Sequence, residues 1–438
     1  MTPRFLALAA AAGLLFATPA AARLSPAEQT MVRTVDAEQP RTLAMLETWV
    51  NQNSGTMNLA GVESVGRMLR SELEPLGFKV EWIDMKAAGR SGHIVARHPG
   101  SRSGKRLLLI AHLDTVFEPD SPFQRWTRNG DQAHGPGAGD DKGGMAVMVA
   151  ALRAMQAAGT LRKANVTIVL TGDEEDAGNP LTISRRDLVA EGKAADVALD
   201  FEALAVDQGR DMGSTARRSA GSCTLTVSGE SGHSAGVGTG TPGGSYGAIF
   251  ELARIIDAFR RELPDQKLTY NVGLIGGGQT SQLDAGKIRL EATGKTNVIA
   301  ATAVARGDMR AISEEQIERT RSRMRAIVAQ SLPGAKAEIS FDEDSYPPMP
   351  PTEANRALLG RLNAVNRDMG LPEMGELDPA MRGAGDISFV ARDVDGLVGL
   401  GPAGDGSHTV RETVDIPSIA KQAKRAAILM SRLARERR

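Results

Sequence analysis

Two short apolar runs, each ending at imidazole or carboxylate side chains, constrain this chain more than any other feature. Leu107–Ala111 (LLLIA) runs into His112, and Val166–Leu170 (VTIVL) runs into the acid triplet Asp173–Glu174–Glu175 two residues beyond Thr171. Continuous apolar runs of this length read as strands covered on both faces, as parallel sheets require. Helical patterns alternate with them: Arg67–Leu76, stopped by Gly77, and Met145–Ala158, stopped by Gly159. The expected fold is therefore α/β, with a largely parallel central sheet.

The texture changes around Gly213–Gly221. Strand patterns follow at Cys223–Val227, Asn271–Ile275 and Lys287–Ala292, with helices near Ala248–Glu262 and Glu314–Gln330. A β-α-β-β-α-β order suggests a small, ferredoxin-like α+β domain inserted into the first. The proline cluster Tyr346–Pro351 reads as the returning linker, and the chain ends in a basic helix, Pro417–Arg438. The expected division is a signal peptide at 1–22, a catalytic domain in two parts (23–215 and 346–438), and the insertion at 216–345. Arg4, the apolar run Phe5–Phe16 and the A-x-A-like pair Ala20 and Ala22 indicate cleavage after Ala22, and a secreted or periplasmic protein. That run is shorter than the ~20 residues of a membrane span.

Charge and composition exclude other classes. Lys+Arg number 52 against 53 Asp+Glu, and aromatics make up 4%, which gives no pull toward nucleic acid. Cys223 is the only cysteine, so no intrachain disulfide forms and its natural reading is a small buried hydrophobe.

Chemistry must then come from a local site. The six histidines are His93, His98, His112, His134, His233 and His408. His112 stands at a strand end in AHLDT, with Asp114 spaced to hold its other ring nitrogen; a plain loop hydrogen bond is the alternative. Asp140 and Asp141 lie in GPGAGDDKGG, where an aspartate either bridges cations or caps the following helix. The triplet at 173–175 either binds metal and substrate or forms a solvated turn. Glu202 ends Val197–Phe201 with Asp200 as its competitor, and His408 lies in GDGSH. Nitrogen and oxygen ligands without a thiolate suit hydrolytic zinc, with cobalt or manganese tolerable.

Taken together, AHLDT (111–115), GPGAGDDKGG (135–144), TGDEEDAG (171–178), FEAL (201–204), SGHSAG (231–236) and GDGSH (404–408) resemble a known family in order and spacing. It is the co-catalytic zinc peptidases, which include carboxypeptidase G, aminoacylase, peptidase T and succinyl-diaminopimelate desuccinylase; the pattern is most similar to carboxypeptidase G. The resemblance implies two zinc ions per subunit. His112 and Glu202 would hold one, Glu175 and His408 the other, and Asp140 would bridge them. It also implies Glu174 as general base, Asp114 as the orienter of His112, and His233 reaching the partner's site in a homodimer formed through the inserted dimerisation and lid domain. Arg310 and Asn297 match positions that hold a substrate carboxylate, Gly383 to Asp386 a recognition loop, and Arg210 a basic residue for glutamate side chains; a solvated surface arginine is the alternative for Arg210. One departure is Asn297-Val298-Ile299-Ala300, where the family has proline at the fourth place. The segment Thr215–Ala220 (TARRSA) is also unusually basic for a hinge. The function implied is release of a C-terminal amino acid, glutamate above all, from small peptides or N-acyl amino acids. An aminoacylase-like deacylase and a catalytically silent peptide-binding protein are the alternatives.

Overall fold

Side chains alternate across a pleated strand, so a run that is apolar at every position needs cover on both faces. The computed structural model of the chain, which describes residues 24–239 and 244–438, gives both runs that cover. The expected signal segment lies outside the described residues.

Strands β1 (Lys79–Asp84), β2 (Gly92–His98), β3 (Arg106–His112), β4 (Asn165–Thr171) and β5 (Val197–Asp200) form one sheet ordered β1-β2-β4-β3-β5, closed by Gly396–Val398. From β4 through Gly396–Val398 every pairing is parallel, while β1 and β2 form an antiparallel margin. On one face Leu107, Leu109 and Ala111 pack with residues of α1 (Pro26–Val50), α2 (Leu59–Leu73), α3 (Lys142–Ala157) and the C-terminal helix Ile416–Leu433. On the other, Leu108 and Ile110 join Val169, Leu188, Ala198 and Ile387. Each of these leucine, isoleucine and valine side chains gains ~1.5–3 kcal/mol from burial.

Two helix readings differ at their starts. Asn58 caps α2 by accepting from the Gly61 N–H, so the helix begins well before Arg67; it ends in a short 3-10 turn at Gly77, φ 92°. α3 begins at Lys142, behind an Asp141 whose side chain makes no capping bond.

The inserted unit runs β6 (Gly221–Gly229), α4 (Gly247–Glu262), β7 (Thr269–Gly278), β8 (Thr302–Arg310), α5 (Glu314–Val328) and β9 (Ala335–Phe341). Its sheet is antiparallel, ordered β7-β8-β6-β9, and both helices lie over Leu225, Val227, Ala303 and Ala305. The strand expected at Lys287–Ala292 is corrected. Lys287 turns with φ 55°, and only Leu290–Thr293 is extended, in a side hairpin with Thr280–Leu283. The fourth position of the β-α-β-β-α-β order belongs to β8, where Arg306, Gly307 and Asp308 interrupt the apolar pattern.

Candidate metal centre

Parallel strands bring their C-terminal ends to one edge, and the segments leaving them line a common crevice. His112 pairs in register with Thr171, and Ile110 with Asp200, so the groups beyond β3, β4 and β5 are neighbours.

The acid triplet separates at once. The Asp173 carboxylate turns inward to buried Arg185 at 2.5 Å and also accepts from the Gly178 N–H. Asp114 accepts from the backbone N–H groups of Glu174 and Glu175, both at 3.1 Å, and from the Thr56 hydroxyl at 2.6 Å. This fixes the loop so that Glu174 and Glu175 diverge. Asp114 also lies 3.3 Å from His112 Nδ1, which leaves Nε2 facing Asp140 at 3.1 Å. His408, held in the left-handed region at φ 64°, directs Nε2 to Asp140 at 3.3 Å and Glu175 at 3.1 Å.

Ligand atoms of His112, Asp140 and Glu175 all lie within 4.8 Å of one another. Burial opposes ionisation, yet hydrogen bonds from both imidazoles hold Asp140 well below the usual carboxylate range. Hydrogen bonds to Asp140 and Glu175 push His408 up to about 11, and His112 rises on Asp114 and Asp140 despite its burial. Burial and neighbouring carboxylates raise Glu174; burial likewise raises Glu175, against its bond to His408. Glu175 Oε1 is buried with no hydrogen-bond partner, although a buried acceptor is costly to leave unpaired. An oxygen and nitrogen donor set with one orphaned carboxylate oxygen fits a divalent metal.

Glu202 stands apart from that cluster. It lines the same cavity of about 270 Å³ as Asp140, Glu174 and His408. Its Oε2, however, pairs with Arg217 at 2.7 Å and with Arg382 at 3.3 Å. Asp200 stays inside, accepting from the Glu202 N–H at 3.1 Å, and burial beside Glu202 pushes it up to about 8. Sequence reasoning passed over both arginines, though the basic TARRSA segment was a signal for Arg217.

The organic half of the site divides. Arg310 and Gly383 line a second, adjoining cleft of about 700 Å³ with Glu174 and Glu175. Arg310 Nη1 lies 3.9 Å from where a Gly383 Cβ would stand. Arg210 is not brought into either cavity: exposed on the hairpin 205–213, it donates to the Glu373 carbonyl at 3.1 Å. Within the single chain it therefore stands apart from both cavities. The reason is local, since the tight turn at Gln208 and Gly209, with φ 48° and 78°, sends the strand back along the surface. His233 and Asn297 are exposed on the inserted unit beside each other, through the bridge His233↔Val298, and neither lines the two cavities.

Comparison with known proteins agrees with this architecture. Residues 108–432 match the model of peptidase family M20/M25/M40. Carboxypeptidase G2 of Pseudomonas sp. (strain RS-16) is 38% identical over 172 residues, covering 38% of this chain and only 39% of that protein. Succinyl-diaminopimelate desuccinylase of Variovorax paradoxus (strain S110) is 27% identical over 392 residues, 86% of this chain and 94% of that protein. Among solved structures, a tripeptidase from Staphylococcus aureus superposes with a TM-score of 0.70 at 20% identity, over 91% of this chain and 99% of its own. A dinuclear metal-binding peptidase from Bacillus subtilis gives 0.62 at 15%, over 91% and 99%.

Proposed function

The chain belongs to peptidase family M20/M25/M40, hydrolases of peptide and amide bonds, and on that footing we propose that it is a di-zinc exopeptidase releasing a C-terminal amino acid. Small peptides and N-acyl amino acids ending in glutamate are its proposed substrates. The observation that carries this reading is the convergence of His112, Asp140, Glu175 and His408 at the strand ends, with Glu174 beside them. His112 and Glu202 would hold one zinc and Glu175 and His408 the other, with Asp140 between. Bound metal supplies an activated water and polarises the scissile carbonyl.

The chain's own groups do the rest. Glu174, backed by the Asp114-anchored loop, accepts the water's proton and passes it to the leaving nitrogen. Arg310 at the Gly383 loop offers a planar fork to the terminal carboxylate. With Arg210 outside the cleft, a preference for an acidic side chain leans on Arg90, Lys287 and Arg306, which line the same cleft. The Arg210 position is also the observation that favours a second reading, an aminoacylase-like deacylase of apolar residues. His233 is proposed to serve a partner's site in a homodimer, and Asn297, beside it on the inserted unit, to hold the substrate carboxylate. Export through a signal peptide cut after Ala22 completes the proposal; among the described residues no helix is long and apolar enough to cross a membrane.

Glu174→Gln tests the reading. The variant should bind metal as the wild type does while hydrolysis of N-acyl glutamates and dipeptides falls by at least about a hundredfold. Full turnover in the metallated variant would remove Glu174 from its role. Faster turnover of apolar than of acidic substrates by the wild type would move the assignment to the deacylase. Bound metal with no hydrolysis across the panel would leave a binding protein.

A further inference from the structure

The inserted unit is joined to the catalytic part by two connections, and these pair with each other. Arg217 and Met349 exchange backbone hydrogen bonds, both 2.9 Å, and Ala220 and Tyr346 do the same at 3.1 and 2.8 Å. The result is a two-stranded antiparallel ribbon, rather than two independent linkers.

Each strand of the ribbon sends one side chain into the site. Arg217, 4% exposed, holds Glu202 through Nη1 at 2.7 Å, and donates from Nε to the Gly383 carbonyl at 2.8 Å and from Nη2 to the Ala384 carbonyl at 2.5 Å. The recognition loop passes so close that a Cβ on Gly385 would meet Arg217 Nη1 at 2.2 Å and Glu202 Oε1 at 2.6 Å. On the returning strand, the Tyr346 hydroxyl donates to the Glu174 carbonyl at 2.9 Å and accepts from Arg185 at 3.0 Å. Arg185 in turn holds Asp173, and Asp386 of the recognition loop at 2.8 Å.

We propose that Arg217 and Tyr346 are positioning residues through which the inserted unit sets the Glu202 and Glu174 segments of the site. This rests on the reading that Glu202 binds metal and Glu174 acts as base. Arg217 holds Oε2 of Glu202, while Oε1 faces the Gly385 backbone of the recognition loop. A shift of the ribbon therefore moves a ligand and the recognition loop together. Tyr346 acts through the peptide that joins Glu174 to Glu175, so it positions the base and the adjoining ligand together.

The test uses full-length protein loaded with Co²⁺, followed by visible absorption and chelator competition. Glu202→Gln comes first and should abolish one of two cobalt-binding steps; if both steps persist unchanged, the metal assignment fails, and this proposal with it. Given that result, Arg217→Met should weaken the same step by ~10–100-fold and alter its absorption band, as loss of a ligand's supporting partner does. In the Glu202→Gln background it should have no further effect. Arg217→Lys, which keeps the charge but cannot span Glu202 and both carbonyls, should fold and still show the altered band. Tyr346→Phe should lower kcat by about three- to tenfold with KM unchanged, and shift cobalt affinity less than Arg217→Met does. Tighter cobalt binding in Arg217→Met, a wild-type band in Arg217→Lys, or wild-type kcat in Tyr346→Phe would each overturn the proposal.

Discussion

At the scale of single residues, position in the fold decides which charged groups matter. Arg310 reaches the Gly383 loop in the cleft and Arg210 does not. Arg310→Ala is expected to raise KM for substrates with a free carboxylate by ~10–100-fold, the worth of a charge-assisted pair. Arg210→Ala should stay within about twofold, and steady-state kinetics on one substrate series separates the two. Cys223 behaves as the sequence suggested: it is 2% exposed, and burial pushes its thiol up to about 11. Roughly one thiol in a thousand is then ionised at pH 8, so a disulfide reagent should label it only after unfolding in guanidinium. Prompt labelling of the native protein would mean that β6 opens.

At the scale of elements, the sequence was most legible where one face pattern dominates. LLLIA is apolar at every position and VTIVL at all but Thr167, and β3 and β4 lie in the parallel part of the sheet. Leu109 is fully buried in β3, so Leu109→Ala should cost ~2–5 kcal/mol, read from the urea midpoint. Val80→Ala, on the marginal strand β1 and 9% exposed, should cost distinctly less. Elements that were not legible have a common cause. The partly exposed positions of β8 are Thr302, Arg306, Asp308 and Arg310, and the turn after Gly286 puts Lys287, not the glycine, in the left-handed region. The site shows the same division. His112, Glu174 and Glu175 follow strand ends and Asp140 precedes α3, and the local pattern left each open until the order of the motifs resembled a known family. Arg217 could be noticed as basic, but its bonds to the Gly383 and Ala384 carbonyls span 166 and 167 residues of sequence. Arg382 was equally hidden: it approaches Glu202 only because the recognition loop folds back across the cavity.

At the scale of the whole molecule, the question is what a single chain lacks. The sheet of the inserted unit ends at β7, an edge strand with Ile275 58% exposed, and α4 exposes Ile249 and Phe250, the latter 58%. Large apolar side chains beside an open sheet edge suit association with a second copy of the chain. In a two-fold dimer the same patch serves both subunits, so one charge placed in it acts twice. Phe250→Asp is expected to shift sedimentation from dimer to monomer and to reduce turnover while leaving cobalt binding intact. The proposed crossing of His233 between subunits of a homodimer has a sharper consequence. His233→Ala and Glu174→Gln subunits would each be inactive as homodimers, but a mixed dimer would contain one complete site: Glu174 from the first variant and His233 from the second. Random reassociation of equal amounts makes half the dimers mixed, each with one working site, so activity should recover to about a quarter of wild type. If His233 served its own subunit, neither site of the mixed dimer would be complete, and mixing would restore nothing.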